Sequence, residues 1–293
     1  MKRAFLVVGI ILLVGLLIFA LSQCRGCIGN SDSDYDSNDT VDTISNLEIA
    51  DTSDDYAETN KDKVNIAPKV PQGRPLVFCG NENPRHAEVI SYEEALSYLA
   101  LVNRCFRVSY TFSPRDLIPL RLRSTHVPEG NYHLLRESAA HAAEQLFQAA
   151  TDEGLTLIAR SGYRSYDLQT FVHDNVLSIL GIEEGNRVSA VPGHSEHQLG
   201  LALDVSSPAI KGELTEDFSQ TQEGRWLRDN AHYFGFIIRY PQNKEAYTGY
   251  AYEPWHIRFV GTDAATEMFN SGQILEEFLW DNSATIRQLK SNK

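Results

Sequence analysis

The sequence predicts an α+β fold: a single domain with a central, mainly antiparallel sheet flanked by helices, behind an N-terminal membrane helix and a disordered linker. Helical and strand-like segments mix over residues 74–293 without the regular strand–helix–strand order of a parallel sheet. Before residue 74 the chain has one apolar run followed by a long polar segment. About 220 residues are within the usual size of one folded domain.

Residues 1–28 have the features of a transmembrane anchor or signal segment. Lys2 and Arg3 precede eighteen uncharged, mostly apolar residues at positions 4–21. At about 1.5 Å per residue, such a helix nearly spans the roughly 30 Å hydrocarbon core of a bilayer. A cleaved secretory signal and lipidation at Cys24 are the alternatives. Each of them places the remainder of the chain outside the cytoplasm, on the cell-wall or periplasmic side of the cell membrane.

Residues 29–73 are predicted to be an acidic disordered linker. They are rich in Asp, Ser, Thr and Asn and have no apolar periodicity, so they cannot bury enough surface to fold. The whole chain has 39 acidic and 26 basic residues, a net charge of −13, and much of that excess lies in the linker. This charge argues against nucleic acid as a partner.

The four cysteines fit an oxidising compartment better than a zinc ribbon. Cys79 and Cys105 fall in the predicted domain and could pair, whereas Cys24 and Cys27 flank the apolar run. A zinc ribbon is disfavoured because Cys79 and Cys105 do not form a second closely spaced pair.

Within residues 74–293, apolar periodicity and capping residues predict the elements in order. Helices are predicted over 91–104, with Ser91 as the N-cap, and over 134–154, 167–180, 224–234, 264–270 and 274–280. The second of these has its apolar stripe at Leu135, Ala139, Ala142, Leu146 and Ala149 and ends at Gly154. Strands are predicted within 155–161 and over 199–205, 235–241 and 255–261.

Three segments contain more polar and charged side chains than these helices and strands require. The first is Ser161-Gly-Tyr-Arg164-Ser, with Gln169 shortly after it. An arginine beside a glycine turn at a strand end suits a carboxylate-binding fork. Taken alone, however, this segment favours the alternative, in which Arg164 caps or salt-bridges a surface helix. The second is the stretch 192–205, in which an imidazole, His197, and a carboxylate, Asp204, suit zinc. An exposed loop histidine and a strand-end aspartate are the alternative.

The third segment is Glu253-Pro-Trp-His256. His256 can supply a third zinc ligand, and a catalytic zinc usually takes three protein ligands. Glu253 is a candidate general base, and Pro254 bends the chain, so Glu253 and His256 need not point to opposite faces. The alternative is a core strand centred on Trp255 with Glu253 at its rim.

These three segments together resemble the zinc D-alanyl-D-alanine carboxypeptidases of the VanY type. The residues from Ser195 to Asp204 match the motif S-x-H-x-x-G-x-A-x-D, and residues 253–256 look like the second motif of that family. The segment at 161–165 with Gln169 is similar to its substrate-binding segment, and the resemblance covers residues 114–261. It implies a domain of the zinc DD-peptidase type that acts on peptidoglycan stem peptides.

The resemblance also implies a role for each matching residue. His197, Asp204 and His256 would bind Zn²⁺, and Glu253 would be the general base. Arg164 would hold the substrate or stabilise the oxyanion, and Ser195 and Gln169 would contact the terminal residue of the peptide. His194 and Glu196 match no ligand position.

The implied reaction is zinc-dependent hydrolysis that releases the terminal D-Ala. An L,D-carboxypeptidase and a non-catalytic wall-binding module with the same fold are the alternatives, because L,D-acting relatives share these motifs. Ser161 and Ser195 are poor candidates for a serine peptidase, since the sequence has no G-x-S-x-G segment.

Overall fold

The structure is a computed structural model that describes residues 86–122 and 133–283. The predicted membrane segment, the predicted linker and Cys79 lie outside these ranges, while Cys105 lies inside them and is disulfide-bonded. The helices of the described ranges include none that is long and apolar enough to cross a bilayer.

The strands of the described residues are short, and we number them in chain order. They are β1 (Glu88–Val89), β2 (Phe106–Arg107), β3 (Leu117–Pro119), β4 (Leu134–Arg136), β5 (Ile158–Ser161), β6 (Ala202–Ser206), β7 (Phe236–Tyr240) and β8 (Glu253–Phe259). The central sheet has the order β5-β6-β8-β7, and every pair in it is antiparallel. β1 pairs with β2 in parallel, and β3 pairs with β4 antiparallel. The predicted α+β class is therefore confirmed.

The helices surround this sheet. They are α1 (Tyr92–Ala95), α2 (Glu137–Asp152), α3 (Tyr166–Val188), α4 (Gln222–Asn230), α5 (Glu245–Thr248), α6 (Thr262–Ser271) and α7 (Leu275–Asp281). Short 3₁₀ turns cover Glu196–Leu199, Pro208–Ile210, Glu216–Gln220 and Ala231–Phe234. α3 contains a kink at Gly181, whose φ of +78° is outside the helical region.

The helix predicted over 91–104 is wrong beyond its first turn. Ser91 caps α1 and forms a capping box with Glu94, as its position predicted, but the helix ends at Ala95. The reason is tertiary. The carbonyl of Leu96 accepts a hydrogen bond from Arg136, and those of Tyr98 and Ala100 accept hydrogen bonds from Arg258. These carbonyls therefore bind guanidinium groups from distant strands.

The core lies mainly between α2 and the central sheet. The buried face of α2 is rotated from the predicted stripe, because Ala140, Ala143, Phe147 and Ala150 are buried and Ala142 and Ala149 only partly so. These side chains belong to one cluster with Leu201, Leu203 and Val205 of the β6 region and with Ile257 of β8. Every residue of β6 is buried, so this strand is a rigid support for polar side chains at the edge of the core.

Candidate metal centre and active site

Asp204 occupies the centre of the candidate site. It lies on β6, directly opposite Ser161 of β5 on one side and His256 of β8 on the other. Residues that face each other across antiparallel strands have side chains on the same side of the sheet. The antiparallel register therefore brings the second and third polar segments together, although more than fifty residues separate Asp204 from His256 in sequence.

An irregularity in β8 brings Glu253 onto the same side. Ile238 pairs with Ile257 and Tyr240 pairs with Glu253, so three residues of β8 lie opposite one residue of β7 between these pairs. The extra residues include Pro254, which cannot donate a ladder hydrogen bond. As the position of Pro254 predicted, Glu253 and His256 are not held on opposite faces.

His197 is placed by a tight turn. It lies in the 3₁₀ turn Glu196–Leu199, which ends at Gly200 with φ +67°. A side chain at Gly200 would put its Cβ 2.8 Å from Leu117 Cδ2, so the turn needs glycine for space as well as for backbone conformation. Nδ1 of His197 lies 2.7 Å from the carbonyl oxygen of Gly162. Because a carbonyl only accepts, Nδ1 carries the proton and Nε2 is left with a lone pair.

The ligand atoms of His197, Asp204 and His256 all lie within 4.8 Å of one another. Nε2 of His197 is 3.3 Å from Asp204 Oδ2, and Nδ1 of His256 is 3.2 Å from Asp204 Oδ1. The two imidazole rings are nearly perpendicular, with centroids 5.0 Å apart. Two nitrogen atoms and a carboxylate therefore converge on one point from three elements.

These residues fit a zinc ion. Oδ1 of Asp204 is buried and has no hydrogen-bond partner within the described ranges, although Nδ1 of His256 lies close to it. A cation placed between these atoms would satisfy both. Burial alone would raise the pKa of Asp204, but His197 and His256 hold it well below its usual range. Two imidazoles and one carboxylate are also a ligand set that catalytic zinc sites use.

Glu253 lies beside this cluster, with Oε2 3.5 Å from His256 Nδ1. Burial raises the pKa of the Glu253 carboxyl to about 8, with His256 opposing the shift and Asp204 adding to it. Burial lowers the pKa of His256, but the carboxylates of Asp204 and Glu196 outweigh it and raise that pKa to about 9. A carboxyl that exchanges its proton near neutral pH is suited to general acid–base chemistry.

Arg164 is held against the same aspartate. Its Nη2 is 3.7 Å from Asp204 Oδ2 and donates to Ser161 Oγ, and its Nη1 donates to Gln169 Oε1. The amide nitrogen of Gln169 donates to the carbonyl of Ala190. Gln169 is only 1% exposed, so its contacts in this structure are those that orient Arg164.

The structure separates the two histidines of the stretch 192–205. His197 is a member of the cluster and Ser195 is buried, whereas Nδ1 of His194 donates to the carbonyl of Asn103. His194 is not among the three residues that converge on the metal position. His194 therefore stays outside the predicted ligand set.

Sequence reasoning assigned no role to Glu196, which is fully buried behind His256. Its Oε2 lies 3.6 Å from Nε2 of His256, and its Oε1 accepts from Arg239 and Arg258. Burial would raise the pKa of Glu196, but the two guanidinium groups hold it well below its usual range. The available signal was an acidic residue directly before a predicted zinc ligand, but its arginine partners lie 43 to 62 residues away in sequence.

Comparison with known proteins finds a family match over the part of the chain that holds these residues. The family model described as VanY, D-alanyl-D-alanine carboxypeptidase, matches residues 132–262. YodJ of Bacillus subtilis (strain 168), a putative carboxypeptidase by name, is 44% identical over 180 residues, 61% of this chain and 66% of YodJ. The bifunctional D-Ala-D-Ala dipeptidase and D-Ala-D-Ala carboxypeptidase VanXYC of Enterococcus gallinarum is 31% identical over 53% of this chain and 82% of its own length.

The chain belongs to the VanY family. It spans between 52% and 66% of the length of three other curated relatives of this group, two of them named as D-alanyl-D-alanine carboxypeptidases of Enterococcus.

Solved structures of the VanY group share the fold. The LD-carboxypeptidase LdcB is 42% identical, with a TM-score of 0.60, over 66% of this chain and 89% of that one. A mutant of the vancomycin-resistance D,D-pentapeptidase VanY in complex with Zn(II) is 34% identical, with a TM-score of 0.52, over 62% and 98% of the two chains. VanYB in complex with D-alanine-D-alanine is 34% identical, with a TM-score of 0.53, over 64% and 99%.

Proposed function

We propose that this protein is a zinc-dependent D-alanyl-D-alanine carboxypeptidase that releases the terminal D-Ala from peptidoglycan stem peptides. The observation that carries the proposal is the convergence of His197, Asp204 and His256 on one point, with Glu253 3.5 Å from the last of them. The VanY structures that contain Zn(II) and D-alanine-D-alanine support it.

His197 would bind the zinc ion through Nε2, His256 through Nδ1 and Asp204 through a carboxylate oxygen. When bound, zinc supplies a Lewis acid and a water molecule of lowered pKa. The protein supplies three fixed ligands, two of them on adjacent strands, so the metal position is set before substrate arrives.

Glu253 is the group that moves protons. A carboxylate at this position accepts a proton at Oε2 as the attacking oxygen loses it, and then returns it to the amine of the departing D-Ala. Without the metal, burial raises the pKa of Glu253 to about 8. A zinc ion bound beside it would lower that pKa again and so favour the carboxylate form that accepts the proton. The burial that raises the pKa also limits competing exchange with bulk water.

Arg164 provides positive charge beside the metal position. Its guanidinium is fixed by Gln169 and Ser161, so it is preorganised to stabilise the oxyanion of the tetrahedral intermediate or to hold the substrate. Ser195 remains our candidate for a contact to the terminal residue of the peptide. Gln169 is too buried in this structure to reach substrate without moving, so we assign it first to holding Arg164.

An L,D-carboxypeptidase acting on tetrapeptide stems is the second candidate function. The observation that favours it is the likeness to LdcB, an LD-carboxypeptidase that is 42% identical to this chain, compared with 34% for the two VanY structures. The metal ligands and the base would be the same for both bonds, so these residues do not discriminate between them.

Release of D-Ala from defined stem peptides tests both candidates. The full-length chain is assayed on a pentapeptide ending in D-Ala-D-Ala and on a tetrapeptide ending in an L,D bond, before chelation, after chelation and after zinc is restored. We expect activity that disappears with the metal and returns with it, and a His197→Ala variant that loses both zinc and turnover. Zinc binding without release from either peptide would contradict the proposal and favour a non-catalytic wall-binding module.

We further propose that the domain works outside the cytoplasm, held at the membrane by residues 1–28. The basic–apolar pattern of those residues and the disulfide-bonded state of Cys105 support this location. Protease treatment of intact protoplasts or spheroplasts tests it. The domain should be degraded while a cytoplasmic marker survives, and protection of the domain would contradict the proposal.

A further inference from the structure

We propose that Glu196 is a positioning residue for the metal site: its Oε2 receives the Nε2–H of His256 and thereby keeps Nδ1 of that ring directed at the metal. This inference rests on the proposed zinc site and adds a residue to which the sequence motif gives no role. It concerns how the third ligand is held, since Glu196 does not itself reach the metal position.

The facing atoms of the two side chains have no other partner within the described ranges. Oε2 of Glu196 and Nε2 of His256 are 3.6 Å apart, a few tenths of an ångström beyond an ordinary N–H···O hydrogen bond. Both atoms are buried, and neither has a hydrogen-bond partner elsewhere in the described part of the chain. Because unpaired buried polar atoms are costly, a small rotation of the His256 ring that closes this gap would satisfy both atoms.

The other oxygen of Glu196 fixes the carboxylate in place. Oε1 accepts from Nε of Arg239 at 2.7 Å and from Nη1 of Arg258 at 2.6 Å, and all three side chains are fully buried. Two charge-assisted hydrogen bonds to one oxygen keep the group ionised and leave the second oxygen as an acceptor. The carboxylate is thus oriented with its second oxygen towards His256.

Both arginines are themselves anchored. Glu276 of α7 accepts from Arg239 with both carboxylate oxygens, at 2.9 and 2.7 Å. Arg258 donates to the carbonyls of Tyr98 and Ala100. Glu196 is therefore held by an arginine of β7 and an arginine of β8, which are themselves held by α7 and by the loop after α1. Its carboxylate has little freedom to move with a rotating imidazole ring.

A network of this kind is poor evidence for added stability, because the desolvation of four buried charges offsets much of their attraction. Its geometry is better explained by what the second oxygen of Glu196 faces. Histidines that bind metals usually donate their other ring N–H to a carboxylate or a carbonyl, which fixes the tautomer and the ring orientation. His197 donates to the carbonyl of Gly162, and Glu196 occupies the equivalent place for His256.

Substitution of Glu196 by glutamine makes a directional test. In Glu196→Gln the amide oxygen can still accept from the arginines, which leaves the amide N–H₂ to face His256 Nε2. That nitrogen must then accept, so the proton moves to Nδ1 and blocks the metal-binding lone pair. The expected result is a loss of zinc affinity of about 10- to 100-fold, the range typical of such outer partners.

Glu276→Gln is the matched control. It removes the same charge from the same buried network and weakens the pairing of Arg239, but Glu276 makes no contact with His256 in the described structure. The full-length chain and both variants are titrated with zinc in competition with a chromophoric chelator, and their zinc-free stabilities are measured by urea unfolding. We expect both variants to lose stability. Glu196→Gln should also lose about 10- to 100-fold in zinc affinity, whereas Glu276→Gln should lose no more than about threefold.

Equal zinc affinity in wild type and Glu196→Gln would overturn the inference while leaving the proposed function intact. Equal losses in both variants would also overturn it, because the effect would then be structural. A wild-type chain that binds no zinc would instead remove the proposed function, and the inference with it.

The wild-type chain supplies a test that does not depend on the folding of a variant. In zinc-loaded protein with ¹⁵N-labelled histidine, long-range ¹H–¹⁵N correlation should show His256 bound to metal through Nδ1 and protonated at Nε2. The opposite tautomer, with Nε2 on the metal, would exclude the role proposed for Glu196.

Discussion

Oε2 of Glu253 lies 3.5 Å from Nδ1 of His256, the same nitrogen that faces Asp204 across the sheet. The pairing exists because β8 gains extra residues around Pro254 before its regular ladder with β7 begins. A strand without this irregularity would direct residues three apart to opposite faces. The local bend therefore places the proposed base beside the metal position, without making it a ligand.

Replacement of Glu253 by glutamine should separate catalysis from metal binding. Glu253→Gln keeps the shape of the side chain but cannot accept a proton, so we expect kcat to fall by about 100- to 10,000-fold, the usual contribution of a general base. Zinc content should remain that of the wild type, because three other residues are the proposed ligands. The measurement is D-Ala release alongside metal analysis of the same preparation.

Glu245→Gln is the control for that experiment, since Glu245 is a glutamate that pairs with Arg187 on the surface, away from the metal position. It should keep both zinc and turnover. A Glu253→Gln enzyme with wild-type kcat would remove Glu253 as the base, and one that fails to bind zinc would make it a ligand.

Arg164→Lys tests whether the guanidinium geometry matters beyond its charge. Lysine cannot contact Gln169 and Ser161 while also reaching the substrate, so the preorganised fork is lost. We expect kcat/KM to fall by about 100- to 1000-fold, as when one oxyanion donor is removed, with zinc affinity unchanged. Arg228→Lys, at an exposed arginine paired with Asp229, should have no effect. An Arg164→Lys enzyme as active as wild type would exclude the proposed role.

The convergence of His197, Asp204 and His256 could be predicted from the sequence because motif spacing constrains it. His197 and Asp204 are joined by one turn and one strand, and the register of an antiparallel sheet then brings His256 opposite Asp204. Pro254 even predicted the bend that positions Glu253. The motif spacing and Pro254 are local features of the sequence, and only one pairing between strands is needed in addition.

The contacts that the sequence did not predict are long-range and involve arginine. Arg258 reaches back 158 to 160 residues to the carbonyls of Tyr98 and Ala100, and these contacts accompany the early end of the helix predicted over 91–104. The apolar periodicity of residues 91–104 contains no information about a guanidinium group that β8 contributes. The partners of Glu196 also come from other strands, so its place next to His197 in the sequence does not predict them.

Gly162→Ala should weaken zinc binding without touching a ligand. A Cβ at this position would lie 2.5 Å from the carbonyl oxygen of Leu134, so the backbone must shift. The carbonyl of Gly162 orients His197, and its displacement should lower zinc affinity as well as cost about 1–3 kcal/mol of stability. Zinc competition titration and urea unfolding of the zinc-free chain measure the two effects.

Gly154→Ala is the comparison for Gly162→Ala. Gly154 has φ +77° at the end of α2, and a Cβ added there would meet no described atom within 4 Å, so alanine should cost only about 1 kcal/mol of backbone strain. Its zinc affinity should match that of the wild type. If Gly162→Ala also binds zinc normally, the carbonyl of Gly162 does not position His197.

His133 should make the zinc-free protein lose stability in mild acid. Burial lowers the pKa of His133 to about 4, whereas a histidine in the unfolded chain titrates near 6.5. Between these values the unfolded chain binds more protons than the folded one, so stability falls as pH drops from about 6.5 to about 4. We expect His133→Gln to remove about 2 kcal/mol of that fall by pH 4.5, as measured by urea unfolding at pH 7 and pH 4.5.

The exposed histidine at position 141 provides the control, because His141→Gln should follow the wild-type curve. The other buried histidines are present in all three proteins and cancel in the comparison, so equal falls in wild type and His133→Gln would show that His133 does not contribute to acid sensitivity.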